Sequence, residues 1–379
     1  MLNFAPIIYI ISEFVSLLFI FLANIELKQA HKNKGVRYLK KKRIFLILSF
    51  LPFSILFSLR HISVGSDFYN YARMFCKIAN NSLTIRESSW LGFGFKWYCL
   101  IFNFFFKGNF LVAFAIFNNL TLYFFYKAII KNSSNIFISF LCFYSFCLHF
   151  QIFNQFRQMF AIALTFYNFS NIKNKNFKNY LLINILAGLI HKTSFLMLPF
   201  YFVSRIKISK KTLIGYILVG LGCYFGFNII EKILSGSYYS IYFGSKYDIE
   251  TSSSVLNFFV RICLLFICIL FYKPVKKRYS DVDCLYNLVI TCTIFQVLAM
   301  KSYIFARITT YFFVYYLLLL PNILEVIKYK TTKKVFVVLS VLFLTLYQYI
   351  YYNSSSGAVG GGYDKYYFYW QNVISWRSL

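Results

Sequence analysis

The sequence has 379 residues, of which 59% are hydrophobic, 23% are aromatic and only 13% are charged. A soluble globular chain is about 45–50% apolar and about 25% charged, so the composition excludes a water-soluble protein. The formal charge of +29 first suggests nucleic-acid binding, but the basic residues form short runs between long apolar stretches. This pattern argues against nucleic acid as a partner and indicates an all-α, polytopic integral membrane protein.

Apolar stretches that are long enough, or nearly long enough, to cross about 30 Å of hydrocarbon recur along the chain. The first has no basic segment before it and no small-residue cleavage site, so we expect a retained span and not a signal peptide. The predicted transmembrane helices lie near residues 4–23, 44–59, 110–126, 136–152, 158–170, 180–191, 194–204, 212–228, 256–272, 284–300, 308–327 and 335–352.

The connecting segments set the orientation of these helices. Six of them hold 25 of the 40 lysines and arginines, and all six fall on one side only if the aromatic-rich segment 90–106 does not cross the membrane. The positive-inside rule makes that side cytoplasmic. We therefore expect twelve crossings, an interfacial helix near 90–106, and both termini on the outer side. The six basic segments are 26–43, 127–135, 171–180, 205–211, 273–279 and 328–334.

Two predicted helix breaks lie inside apolar regions. Segments 180–191 and 194–204 are each too short for a full span, so we expect two short helices that meet at His191–Ser194, partway into the bilayer. A second break is expected at Asn154–Gln158. Non-helical backbone at membrane depth is tolerated only beside protein or a water-filled cavity, so the two breaks predict a polar cavity on the outer side.

No linker, repeat or soluble domain interrupts the apolar pattern. We expect one membrane domain over residues 1–352 and a short polar and aromatic tail over 353–379 that faces the periplasm. Nine cysteines without a CxxC pair, four histidines and eleven acidic residues offer no metal-binding pattern, and no nucleotide-binding motif occurs. The sequence therefore predicts no metal and no cofactor.

Four arginines lie beside or within apolar stretches on the predicted outer side, namely Arg60, Arg157, Arg261 and Arg307. An arginine at membrane depth is costly unless it faces a cavity or a partner. Arg261 has no polar neighbours in the sequence, so we expect it to be structural. Arg157 lies at the predicted start of a helix, where a forked guanidinium and the positive end of the helix dipole suit a phosphate or pyrophosphate.

Two groups on the outer side are candidates for acid–base chemistry. His191 lies between paired helix ends, and an imidazole can remove a proton from a hydroxyl near neutral pH; the alternative is a hydrogen-bonded histidine at a helix end. Asp67 follows Gly65, which permits a turn, and it either takes part in the site or caps the helix after it. The sequence leaves open which of the two is the base.

Taken in order, these segments resemble the EpsG/Wzy-like family of bacterial polysaccharide polymerases. The resemblance spans roughly residues 55–325, and the order and spacing of the segments support it better than any one motif. Ser66 stands where the family commonly has threonine. The matching residues are Arg60, Val64–Tyr71, Asn154, Arg157, Gln158, Ala161, His191, Ser194, Arg307, Tyr311 and Pro321.

The resemblance implies a GT-C-like glycosyltransferase of the bacterial cytoplasmic membrane that uses no nucleotide sugar. Such a polymerase joins oligosaccharide repeat units carried on undecaprenyl pyrophosphate, on the outer face of the membrane. The implied partners are this lipid-linked oligosaccharide, membrane lipid, a chain-length regulator and a flippase. The expected catalytic residues are His191 and Asp67, and the expected substrate-binding residues are Arg60, Arg157, Gln158, Arg307, Tyr69, Tyr71, Asn154 and Tyr311.

Two other functions fit some of the same features. An O-antigen ligase-type transferase would use the same donor with a lipid A core acceptor. A lipid-linked oligosaccharide flippase would also bind pyrophosphate, but it should have internal repeats and charges that are accessible from both sides. The candidate arginines cluster on one side, which favours the polymerase. The sequence leaves open the sugars, the linkage, and whether the product is O-antigen, capsule or exopolysaccharide.

Overall fold

The computed structural model describes residues 5–33, 36–65, 67–236, 252–329, 331, 337–338, 341–342, 345–350 and 366–371. As predicted, the described residues are helical, with one isolated β-bridge. The helices are α1 (Ala5–Asn33), α2 (Val36–Leu59), α3 (Phe68–Ala79), α4 (Ile85–Leu91), α5 (Phe93–Phe106), α6 (Phe110–Asn132), α7 (Ile136–Ser145), α8 (Leu148–Asn154), α9 (Phe156–Tyr167), α10 (Phe169–Lys173), α11 (Phe177–Ile190), α12 (Phe200–Val203), α13 (Lys210–Phe225), α14 (Phe227–Ser235), α15 (Ser252–Leu270), α16 (Tyr272–Arg278), α17 (Val282–Ala299), α18 (Tyr303–Phe313) and α19 (Tyr316–Val326). A 3₁₀ helix (Lys192–Met197) lies between α11 and α12.

Polar residues at the helix starts explain several of these boundaries. Asn109 before α6 and Asn176 before α11 each accept a hydrogen bond from the backbone N–H three residues later. At the start of α4, Thr84 and Glu87 form a reciprocal capping box. These side chains satisfy backbone donors that have no partner within the helix, so the local sequence fixes where these helices begin.

The described residues contain between four and eight candidate membrane spans. Four single helices are long and apolar enough to cross a membrane, and four helix pairs, bent by 42° to 63°, pass the same test together. The single-helix spans are Ile7–Ala30, Arg37–Leu59, Phe110–Asn132 and Val282–Ala299, and the bent pairs are α7–α8, α13–α14, α15–α16 and α18–α19. The chain is thus a helical membrane protein, while the twelve crossings stay a prediction, and the predicted span 335–352 lies largely outside the described residues.

The first two helices extend well beyond the predicted apolar stretches. Helix α1 continues to Asn33 and α2 begins at Val36, so most of the predicted basic loop 26–43 is helical. Lysine and arginine are good helix formers, and their long stems can lie along apolar surface while the charged ends stay in water. Basic residues therefore prolong these helices past the apolar segment instead of ending them.

Both predicted helix breaks are present. Helix α8 ends at Asn154 and α9 begins at Phe156, with Gln155 in a non-helical conformation (φ −81°, ψ 50°). Helix α11 ends at Ile190, and His191 is extended (φ −145°, ψ 111°) before the 3₁₀ helix. Because α9 and α11 pack against each other, the breaks belong to neighbouring helices. The predicted spans 158–170, 180–191 and 194–204 correspond to α9 with α10, to α11, and to the 3₁₀ helix with α12.

An aromatic segment near the C terminus, residues 366–371, packs on the end of α2. Phe368 pairs with Arg60 in an antiparallel β-bridge, and backbone hydrogen bonds of 2.7 and 2.9 Å flank the bridge. The hydroxyl of Tyr366 donates to the carbonyl of Leu56 in α2 at 2.8 Å. This segment is the part of the predicted tail that the structure describes, and it lies at the same end of α2 as Arg60.

Candidate functional site

Arg60 stabilises the turn that precedes Asp67. Its side chain is 1% exposed, and Nη1 donates to the carbonyl oxygens of Val64 (3.3 Å) and Phe153 (2.7 Å). The guanidinium carbon also lies 3.7 Å from the ring centroid of Phe68. Arg60 is therefore enclosed by protein and joins the turn to the end of α8, which places it in support of the site.

Gly65 allows this turn to approach α8. Its φ is +91°, and a Cβ at this position would lie 2.7 Å from the carbonyl oxygen of Phe153, the oxygen that Arg60 binds. We expect Gly65→Ala to lower the free energy of unfolding by about 1–3 kcal/mol, which thermal unfolding in detergent will measure. The matched control is Gly215→Ala, because a Cβ at Gly215 would meet nothing within 4 Å. Equal melting temperatures for the two variants would contradict the prediction.

Asp67 precedes α3, but its carboxylate makes no capping hydrogen bond with the described start of that helix. Its backbone N–H donates to Oδ1 of Asn154 at 3.0 Å, and one carboxylate oxygen lies 4.0 Å from Nη2 of Arg307. Burial raises the pKa of the Asp67 carboxyl above its usual value, while the charges of Arg307 and Arg157 lower it. The structure therefore does not have the predicted helix cap at Asp67, and the participation of Asp67 in a site stays a prediction.

Arg157 is held in one orientation by three parts of the chain. It lies in the first turn of α9 and is 6% exposed. Nη1 donates to the carbonyl of Leu91 at the end of α4, and Nε donates to the hydroxyl of Tyr71 in α3 at 3.3 Å. The guanidinium carbon also lies 5.6 Å from the ring centroid of Phe95 in α5. The positive end of the α9 dipole adds to the charge of this guanidinium.

Gln158 connects α9 to Arg307 in α18. Its amide Nε2 donates to the backbone carbonyl of Arg307 at 2.7 Å, and Gln158 is only 3% exposed. The side chain of Arg307 is 30% exposed, so it is more accessible than Arg60 or Arg157. Gln158 therefore fixes the backbone of Arg307, while the guanidinium itself can meet a ligand.

His191 begins a chain of hydrogen bonds that ends in α18. Its Nδ1 is 2.6 Å from Oγ1 of Thr193, and the same oxygen is 3.1 Å from the hydroxyl of Tyr311. Tyr311 is fully buried, so this chain of hydrogen bonds leads from His191 to a residue of the protein interior. Thr193 is a residue that the sequence did not single out, and the one available signal was a hydroxyl two positions after a histidine.

The predicted residues converge on one neighbourhood. Arg307 lies 4.0 Å from the carboxylate of Asp67, Gln158 joins the backbone of Arg307 to the helix of Arg157, and Thr193 joins His191 to Tyr311 in α18. Arg157, Arg307, Asp67 and His191 come from α9, α18, the turn before α3 and the break after α11, which are far apart in the sequence. Tyr69 is partly buried and packs against the apolar cluster around α3 and α5.

A cavity of about 640 Å³ opens beside Arg157; we refer to it as the α4–α5 cavity. Gly92, between the two helices, has a φ of +75°, and a Cβ there would lie 3.9 Å from Nη1 of Arg157. The cavity is lined by Leu83, Thr84, Ile85, Ser88, Gly92, Phe93, Lys96 and Lys192. The sequence did not identify these residues as the lining of a cavity, and the predicted polar cavity on the outer side stays a prediction.

The side chains at the site are guanidiniums, an imidazole, a carboxylate and neutral hydrogen-bonding groups. Such groups bind oxyanions and transfer protons. Among the residues that the structure describes, no group of three or more His, Cys, Asp or Glu side chains is placed to hold a metal ion.

Comparison with protein-family models identifies a family for this chain. A family model described as the EpsG family matches residues 43–369. The match extends from within α2 to the aromatic segment and includes every site residue described above. No curated protein and no solved structure matches the chain significantly.

Proposed function

The chain belongs to the EpsG family, and on that premise we propose that it is a polysaccharide polymerase. In the proposed reaction it joins oligosaccharide repeat units carried on undecaprenyl pyrophosphate, on the outer face of the bacterial cytoplasmic membrane. It acts as a GT-C-like glycosyltransferase that needs neither a nucleotide sugar nor a metal ion. Family membership supports the polymerase class, and the site chemistry supports the pyrophosphate donor.

The observation that carries the proposal is geometric: Arg307 lies 4.0 Å from the carboxylate of Asp67, Gln158 ties the backbone of Arg307 to the helix that bears Arg157, and Thr193 links His191 to Tyr311, one helical turn after Arg307. Sugar transfer from a pyrophosphate donor has two requirements, which are stabilisation of the leaving anion and removal of a proton from the acceptor hydroxyl. Guanidiniums form paired, charge-assisted hydrogen bonds to phosphate oxygens. The imidazole meets the second requirement, so one site offers both functions.

In the proposed step, an acceptor hydroxyl oxygen bonds to the anomeric carbon of the donor sugar while the bond from that carbon to the pyrophosphate oxygen breaks. The hydroxyl proton passes to His191. Undecaprenyl pyrophosphate leaves with its negative charge stabilised by Arg157 and Arg307. Asp67 positions the sugars by accepting hydrogen bonds from their hydroxyls.

The hydrogen-bonded chain behind His191 supports its assignment as the base. If Nδ1–H donates to Thr193 and the hydroxyl of Thr193 donates to Tyr311, then Nε2 keeps the lone pair that accepts the proton. Three residues act as positioning residues, because their polar groups bind backbone atoms: Arg60 binds Val64 in the turn, Asn154 binds Asp67, and Gln158 binds Arg307. Tyr71 also acts as a positioning residue, because its hydroxyl accepts a hydrogen bond from Arg157. For Tyr69 we propose contact with a sugar.

The proposal includes twelve crossings with both termini outside. It is supported by the six basic segments, which share one side only in that arrangement. A reporter that is active only in the cytoplasm, fused after Leu379, is expected to be silent. Strong reporter signal would overturn the crossing count and the outward orientation of the site.

The proposed reaction can be tested with the purified protein in liposomes. Supplied with a lipid-linked repeat unit, the protein is expected to produce a ladder of longer lipid-linked chains and to release undecaprenyl pyrophosphate, both measured by mass spectrometry. Single transfer to a lipid A core without a ladder would favour a ligase. Movement of the unit across the bilayer without any new glycosidic bond would favour a flippase.

A further inference from the structure

The α4–α5 cavity has a cationic lining that the proposed reaction leaves without a function. Two of its lining residues are lysines, Lys96 in α5 and Lys192 at the start of the 3₁₀ helix. The ammonium group of Lys96 donates to the hydroxyl of Ser88 at 3.1 Å, and Thr84 adds a second hydroxyl to the lining. Ammonium and hydroxyl groups together are suited to phosphate oxygens.

The acidic residue of α4 is already engaged elsewhere. The carboxylate of Glu87 forms a salt bridge with Lys77 in α3 and accepts a hydrogen bond from the backbone of Thr84 at 3.0 Å. These interactions, with Lys77 the stronger, lower the pKa of Glu87 to about 2. Glu87 is therefore a carboxylate paired with Lys77, and it is not among the residues that line the cavity.

An exposed apolar stripe runs from this cavity along α5. Phe93, Trp97, Ile101 and Phe104 recur at helical spacing and are 66%, 51%, 49% and 80% exposed. Phe93 also lines the cavity, so the stripe begins at the cationic lining. A helix of 14 residues is about 21 Å long at 1.5 Å per residue, which is enough to lie beside several isoprene units.

We propose that the α4–α5 cavity binds the pyrophosphate of a second polyprenyl lipid, the acceptor, whose hydrocarbon chain lies along the stripe on α5. This inference rests on the proposed function, because that reaction needs two lipid-linked substrates. The donor loses its pyrophosphate at Arg157 and Arg307, whereas the acceptor keeps its own. A second anion site is therefore required for the whole reaction.

The position of the cavity fits this assignment. Both lipids are anchored in the same bilayer, so their pyrophosphates lie at similar depth. The carbonyl of Leu91 accepts a hydrogen bond from Arg157, and the next residue, Gly92, lines the cavity, so the cavity lies close to the proposed donor site. The volume of about 640 Å³ lies within the range of about 300–1,000 Å³ that is typical of small-molecule sites.

The test measures how many undecaprenyl pyrophosphate molecules bind to the full-length protein in nanodiscs, with no sugar attached, by native mass spectrometry. The wild type is expected to bind two. The double variant Lys96→Met/Lys192→Met is expected to bind one, with an affinity loss at the second site on the order of tenfold per lysine. The matched control is Lys178→Met, at the far end of α11, which should still bind two. Two lipids bound with unchanged affinity in the double variant would overturn the proposal.

A second arm separates a lipid site from a simple anion site. Trp97→Ser is expected to weaken binding of undecaprenyl pyrophosphate while binding of inorganic pyrophosphate is unchanged, and unchanged lipid affinity would overturn the assignment of the stripe. The result is independent of polymerase activity. If the wild type binds two lipids but forms no polymer, the proposed function is wrong and the second lipid site is supported. If the wild type forms polymer and the lysine double variant still binds two lipids with normal affinity, the proposed function is supported and the second lipid site is wrong.

Discussion

Replacing His191 with alanine is expected to slow sugar transfer by about 10²–10⁴-fold, the usual contribution of a positioned general base. In the proposed reaction the acceptor is a sugar hydroxyl, which is a poor nucleophile at neutral pH, whereas the donor bond is already activated by its pyrophosphate. The loss therefore falls on the bond-forming step. The initial rate of transfer in liposomes measures the effect, and in cells the single repeat units should still reach the surface.

Two further variants test whether His191 acts as the base or has only a structural role. Thr193→Val keeps the imidazole but removes its link to Tyr311, so we expect a smaller loss than in His191→Ala. His61→Ala removes another imidazole whose Nδ1 contacts a hydroxyl two residues later, Ser63 at 2.9 Å, and it should retain most activity. Normal polymer length in His191→Ala at matched expression would remove His191 as the base and favour Asp67.

Metal independence is checked in the same assay. Wild-type activity is expected to be unchanged in EDTA, since the proposed step uses only protein groups. Activity that is lost in EDTA and restored by a divalent ion would refute this part of the mechanism.

Replacing Arg157 with lysine is expected to reduce the transfer rate by about 10²–10³-fold, as is typical when a preorganised donor to a developing anion is lost. Lysine keeps the positive charge, but it cannot bind the carbonyl of Leu91, the hydroxyl of Tyr71 and an oxyanion with one rigid fork. Arg157→Ala should therefore be only slightly worse than Arg157→Lys. Both rates can be measured with the purified protein in liposomes.

The matched control for Arg157 is Arg205→Lys. Arg205 also donates to a backbone carbonyl, that of Ile172 at 3.1 Å, and its guanidinium carbon lies 3.9 Å from the ring centroid of Tyr201. It therefore makes the same kinds of contact, but in a predicted cytoplasmic segment, and its replacement should leave activity unchanged. Undiminished polymer length in both Arg157 variants would remove that residue from the site.

The helix breaks and the charged residues beside them could be predicted from the sequence, because polar groups inside apolar stretches are rare and conspicuous. The contacts between distant segments could not. Gln158 binds the carbonyl of a residue 149 positions away, and Thr193 contacts a tyrosine 118 positions away. No local periodicity carries such information, so Thr193 had no visible function in the sequence.

The burial of Arg60 could not be predicted from the sequence either, because it also depends on contacts between distant segments. The sequence shows only an arginine beside a turn. In the structure, Arg60 contacts Phe153 in α8 and pairs with Phe368 in the aromatic segment 366–371. Helix ends were also misjudged where basic residues continue a helix, as between α1 and α2. The apolar pattern shows where a membrane is crossed, but helical propensity and capping determine where the helix stops.

The contact between the aromatic segment 366–371 and the end of α2 can form only late in the synthesis of the protein. The bond from Tyr366 to Leu56 joins residues 310 positions apart, and at about 5–20 residues per second about 15–60 s of synthesis separate them. Loop-closure entropy grows only slowly with length, so the contact is inexpensive once both partners exist. A ribosome-bound chain, however, has its helices inserted before Arg60 meets Phe368. The β-bridge between Arg60 and Phe368 is therefore expected to form later than the bonds from Arg60 to Val64 and Phe153 that hold the turn before Asp67.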